Sequence, residues 1–163
     1  SDQAVSKFYS RFFRPADRLF AKEIKGREDF RQETGLGKKW LAKAEEWGVI
    51  TPEILGGGEK VYSASDVELG KLMADMDKLG FGPKDGFDPE DLRHIAEFVK
   101  NYVVSVLKKY YESNLEKLTS KEYVERASQY HEVISLFFYH LYRKFVREAT
   151  KNMLNSRENK EAK

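Results

Sequence analysis

Apolar positions recur along this chain at helical spacing, and glycine, proline and serine clusters mark where the segments end. Val5, Phe8, Phe12, Leu19, Phe20 and Ile24 predict an amphipathic helical arm over residues 3–25, interrupted at Pro15. Residues 30–34 end a short helix at Gly35, and Leu36-Gly37 makes a tight turn. Lys38 to Trp47 forms a second helix that Gly48 stops before Val49-Ile50. Leu36 and Leu41 are spaced to fill the angle between the two helices, and Trp40, Ala44 and Trp47 share a side expected in the core. Two short helices around a glycine turn are the usual way to present a second helix to the DNA major groove.

Three glycines, Gly56 to Gly58, separate Leu55 from Lys60-Val61-Tyr62 and predict a β-hairpin placed as a wing. Ser63 or Ser65 caps the next helix. Val67, Leu69, Leu72, Met73, Met76 and Leu79 form its apolar face, and Gly80 closes it. Residues 81–89 are a turn-rich connector. Asp88-Pro89-Glu90 then starts a long helix with a heptad-like seam of Leu92, Ile95, Val99, Tyr102 and Val106. After a break over 114–120, a second long helix carries Ala127, Tyr130, Ile134, Phe137, Leu141 and Phe145 on one side. Phe138, Tyr139, Tyr142 and Val146 lie on a second side, and the tail from Asn155 is expected to fray. The fold class is mainly α: a winged helix-turn-helix with a small β wing, followed by long C-terminal helices forming a helical hairpin. The domains are an arm (1–25), the winged unit (26–82) and a helical region (83–163). Apolar surface this wide exceeds what a hairpin covers, which predicts a homodimer.

Composition changes this picture in two places. The absence of cysteine excludes disulfides, zinc–thiolate sites and thiol catalysis. No run approaches the ~18 apolar residues of a membrane span, and no hydrophobic signal core opens the sequence, so the expected setting is cytoplasmic with no membrane partner. The net charge of +2 is small, and the winged segment is slightly acidic. DNA affinity must therefore come from where its lysines stand rather than from bulk charge.

An ordered series of residues from about Arg27 to Phe81 resembles the DNA-binding domain of the MerR family of bacterial transcription regulators. Thr34-Gly35-Leu36 is similar to the family's Thr-Gly-Val turn. Leu41, Glu45, Gly48, Val49 and Ile50 fall at its Leu, Glu, Gly and apolar positions. Residues 58–63 resemble its Gly-Tyr-Arg-x-Tyr-Ser wing, Asp66-Val67 its Asp-Leu, and Leu79-Gly80-Phe81 its closing Leu-Gly-Phe. The resemblance implies promoter binding as a dimer, a long dimerising helix after the wing, and effector sensing in the C-terminal region. Two places depart from it: Ala42-Lys43-Ala44 replaces the family's Arg-Tyr-Tyr, and Glu59-Lys60 stands where Tyr and Arg are common.

The expected DNA-binding residues are Lys38, Lys39 and Lys43 of the second helix, Lys60 and Tyr62 of the wing, and Arg27 and Arg31 of the first helix. Tyr130, His131, Phe138 and Tyr142 are candidates to line a pocket for a small apolar effector. His131 and His140 lie half a turn out of phase and cannot clamp one metal. No nucleophile–base pair, catalytic carboxylate pair or metal-ligand spacing stands out, and Glu45-Glu46 reads as solvated helix charge. Neither an enzyme nor a cofactor is expected. The alternatives are a protein–protein interaction module that kept the winged fold and lost DNA binding, or a helical ligand sensor.

Overall fold

The computed structural model describes residues 22–80, 82–114 and 116–163. The expected arm therefore lies outside the described residues up to position 21, as does Phe81 of the family-like closing motif. Among the described residues the chain is mainly helical with one small antiparallel sheet, and it divides at residue 115 into two units.

In the first unit, Ile24–Lys25 is a strand, β1, not the end of an amphipathic helix. It pairs antiparallel with β3 (Lys60–Tyr62), Ile24 opposite Tyr62, while β2 (Glu53–Ile54) pairs with the other edge of β3. The sheet order is therefore β1-β3-β2, with the second hairpin strand in the middle. The boundary expected at residue 26 moves upstream, because β1 belongs to the sheet.

Helix α1 (Arg27–Thr34) and helix α2 (Lys38–Glu46) are joined by three residues. Gly35 sits at φ 77°, and its N–H donates to the Arg31 carbonyl at 2.8 Å, a left-handed close that glycine adopts without a Cβ clash. The Thr34 hydroxyl donates to the Phe30 carbonyl at 2.8 Å and accepts from Leu36 N–H at 3.2 Å. A buried polar side chain thus ties the helix end to the turn with its hydroxyl satisfied. Leu36 and Leu41 are both buried, as is Trp47 at the end of α2. Trp40 is half-buried against the same core.

Helix α3 (Ala64–Lys78) is capped by Ser63, whose hydroxyl accepts from Asp66 N–H at 3.1 Å. Asp66 in turn accepts from Thr51 N–H at 3.1 Å, fixing the chain after α2 to the start of α3. The buried face of α3 differs from the leucine stripe expected of it. Val67, Gly70, Met73 and Ala74 face the core, whereas Leu69 and Leu72 are exposed and Leu79 is 74% exposed. Gly70 and Ala74 stand where α1 packs closely against that face. The core comprises Phe30, Leu36, Leu41, Ala44, Ile50, Tyr62, Val67 and Met73, with Leu92 packed on its edge. Leu92 opens helix α4 (Glu90–Asn114), preceded by a 3-10 turn at Pro83–Asp85. Along α4, Ile95, Phe98, Val99, Val103 and Val104 are exposed.

The second unit, residues 116–163, is dominated by helix α5 (Ser120–Glu161). Thr119 and Glu122 close a reciprocal capping box: Glu122 N–H donates to the Thr119 hydroxyl at 3.2 Å, and Thr119 N–H donates to Glu122 at 2.9 Å. The tail does not fray at Asn155. The helix continues, supported by an Arg157–Glu161 pair at 2.9 Å, one turn apart.

Candidate nucleic-acid interface

Helix α2 turns Leu41 and Ala44 inward and leaves Lys38, Lys39 and Ala42 exposed, with Lys43 half-exposed beside them. The N-cap is Gly37, which offers no side-chain acceptor, and the first turn contains no acid. The free amide N–H groups and the positive end of the helix dipole thus coincide with two lysines. Lys38 and Lys39 make no ion pair among the described residues. The Lys39 ammonium lies 5.7 Å from the Trp40 ring centroid. Lys43 reaches Glu46 at 3.5 Å, an exposed and weak pairing.

The remaining expected contacts are engaged within the fold. Tyr62 is 0% exposed and stacks on Phe30 with ring centroids 4.1 Å apart, so it is a core residue and not a DNA contact. Lys60 does not project freely from the hairpin, because its ammonium donates to Glu45 Oε2 at 2.6 Å. Arg27 lies 3.9 Å from the same oxygen. Arg31 pairs with Glu28 at 3.1 Å and donates through Nε to the Leu36 carbonyl at 3.4 Å, bracing the turn.

Glu45 is the residue that sequence reasoning missed. Its side chain is 15% exposed, not the solvated charge expected of the Glu45-Glu46 pair. It receives the Tyr62 hydroxyl at 2.7 Å on Oε1 and Lys60 on Oε2, joining α2 to the central strand. The available signal was its place four residues after buried Leu41, on the inward face of α2. Burial pushes the Glu45 carboxyl up, but hydrogen bonds from Lys60 and Tyr62 and the charges of Lys60 and Arg27 outweigh it, leaving the group below the usual carboxylate range. The Tyr62 hydroxyl is pushed up by burial and by donating to Glu45. Burial also pushes Asp66 up.

The lowered Glu45 carboxyl makes stability depend on pH. Its folded value lies below the unfolded one, so its stabilising contribution is complete above the ordinary value of 4.5 and is lost as pH falls through the folded value. Glu45→Gln is therefore expected to lower the urea midpoint at about pH 7 and to flatten the loss of stability as pH falls below 4.5. An unchanged pH dependence would remove Glu45 from the acid-labile set.

Of the candidate effector residues on α5, His131 is buried, which pushes its imidazole pKa down, and its ring meets Tyr130 edge-on at 5.5 Å. Phe138 is half-buried two turns further on, and Tyr142 is 71% exposed. In the first unit, a cavity of about 30 Å³ is lined by Leu36, Trp40, Met73, Met76, Phe87 and Leu92 among others, room for one or two waters and not for an organic effector. No group of three or more metal-ligating side chains occurs among the described residues.

No protein-family model matches this chain, and no curated protein or solved structure shows significant similarity to it.

Proposed function

We propose that residues 22–80 act as a MerR-like winged helix-turn-helix that binds duplex DNA, in a regulator paired with a second copy through its long helices. The observation that carries this reading is the start of α2. Lys38 and Lys39 stand exposed, and without ion pairs among the described residues, over a helix N-terminus that has no side-chain cap and no acid in its first turn. Two cations on the positive end of a helix gain from an anion placed between them, and a phosphate supplies one. The β2–β3 hairpin is held to the other end of α2 by Glu45, and exposed apolar residues along α4 favour a second copy.

The test is fluorescence anisotropy with a random duplex at two salt concentrations, comparing the native chain with Lys38→Ala/Lys39→Ala. Native binding is expected to weaken steeply with salt. The double variant should bind about tenfold more weakly and show a salt slope shallower by roughly two units. Both side chains are exposed, so the melting curve should not move. The absence of binding at low salt, or equal affinity of the two proteins, would reject the reading.

A specific observation favours the second reading, a protein–protein interaction module. Glu45 already occupies Lys60 and lies near Arg27, so two of the cations expected on phosphates are partly neutralised within the fold. The same anisotropy experiment separates the two, because an interaction module shows no salt-dependent retention of duplex.

A further inference from the structure

The C-terminal half of α5 carries a group of cations that the fold leaves short of acids. Between Glu132 and Glu158 the sequence holds a single acid, Glu148, and the cations Arg143, Lys144, Arg147, Lys151 and Arg157. Arg157 pairs with Glu161 at 2.9 Å, as Arg93 on α4 does with Glu90 at 3.0 Å. Lys144 takes Glu148 at 3.7 Å. Arg143, Arg147 and Lys151 are exposed and make no ion pair among the described residues. The residues three and four positions from Arg147 are Arg143, Lys144, Thr150 and Lys151, so its one-turn neighbours include three cations and no acid. At 100° and 1.5 Å per residue, Arg143, Lys144, Arg147 and Lys151 occupy about 100° of the helix circumference over about 12 Å of its length. The Arg143 guanidinium lies 5.3 Å from the Tyr139 ring centroid, a contact that orders it without neutralising it.

Like charges one turn apart repel, and an anion laid along them removes that cost. A small anion meets only part of a stripe this long. A duplex presents one phosphate charge per about 1.7 Å, roughly seven over the same length. The side chains bordering the stripe are Thr150 and Glu148, so it lacks the apolar or aromatic anchor of a protein interface. Tyr142 and Phe145 stand about 140–160° around the helix from Arg147. Rings on that side cannot stack on the bases of a single strand held by the stripe, nor enter a bilayer that the stripe touches. We propose that the Arg143–Lys151 face of α5 binds the phosphate backbone of a nucleic-acid duplex. This contact lies in the second unit and does not rest on Lys38 or Lys39.

The experiment is fluorescence anisotropy of the full chain with a random DNA duplex across a salt series. Arg143→Gln/Arg147→Gln/Lys151→Gln removes three charges from the stripe, and Lys84→Gln/Lys100→Gln/Lys108→Gln removes as many from exposed positions elsewhere. The stripe variant should bind at least about tenfold more weakly, with a log–log salt slope shallower by about three units. The scattered variant should stay within about twofold of the native chain at physiological salt. Equal weakening by the two variants would make the effect one of net charge and overturns the proposal. So does absence of native binding, unchanged affinity of the stripe variant, or tighter binding to a single strand of the same length. Flotation with phosphatidylglycerol vesicles that the stripe variant abolishes, while its duplex affinity is unchanged, assigns the stripe to lipid and likewise overturns it. Lys38→Ala/Lys39→Ala, measured alongside, separates the two sites. A loss confined to that variant overturns this proposal and leaves the α2 reading standing, and a loss confined to the stripe variant does the reverse.

Discussion

Tyr62→Ala is expected to cost about 3–5 kcal/mol, a large fraction of the stability of a domain this size. The ring is fully buried in the central strand of the sheet and stacks on Phe30 at 4.1 Å, so truncation removes an aromatic pair and leaves a cavity under α1. Tyr62→Phe keeps the stack and removes only the hydroxyl donated to Glu45 at 2.7 Å. Lys60 continues to serve the carboxylate, and the expected cost is about 1 kcal/mol. Urea unfolding of both variants measures the contrast. If Tyr62→Ala left stability untouched and lowered only DNA affinity, the ring would be a surface contact and the packing described above would be wrong.

Gly70→Val is expected to destabilise by about 3 kcal/mol, from overpacking. A Cβ at this position would lie 2.8 Å from Thr34 Cγ2 and 2.9 Å from Phe30 Cζ. Neither neighbour moves cheaply, because Thr34 is held by two hydrogen bonds and Phe30 is stacked on Tyr62. Gly70→Ala should cost less, about 1–2 kcal/mol, since alanine recovers roughly 1 kcal/mol of helix propensity. Combining Gly70→Ala with Thr34→Ala tests the cause. Removing Cγ2 makes room, so the pair should cost less than the sum of the single changes in thermal melts. Simple additivity would place the strain elsewhere.

These two positions show where a sequence is legible and where it is not. Gly35 and Gly48 mark the ends of α1 and α2 because helix termination is local chemistry, and three consecutive glycines mark the hairpin for the same reason. The exposure of Lys38 and Lys39 follows from the phase of α2 alone. Gly70 gives no such signal. Its role arises from how closely α1 approaches α3, and the neighbouring leucines pointed to the wrong face. β1 was hidden because two residues are too short to display a period of two, and Ile24 fitted a helical pattern equally well. Glu45 meets its partners across 15 and 17 positions of sequence, so its neighbour Glu46 gave a better local account of it than its true contacts did. The identities of the candidate cations were thus readable, but which of them the fold leaves free depends on tertiary packing.

The sheet order sets a timetable for assembly. Ile24 and Lys25 are synthesised before the strand they join, which lies beyond α1, α2 and the hairpin turn. The β2–β3 hairpin closes a short loop, whereas β1 must wait until Tyr62 has been made and closes a much longer one. A nascent chain paused before residue 60 offers β1 no strand to pair with and Phe30 no Tyr62 to stack on.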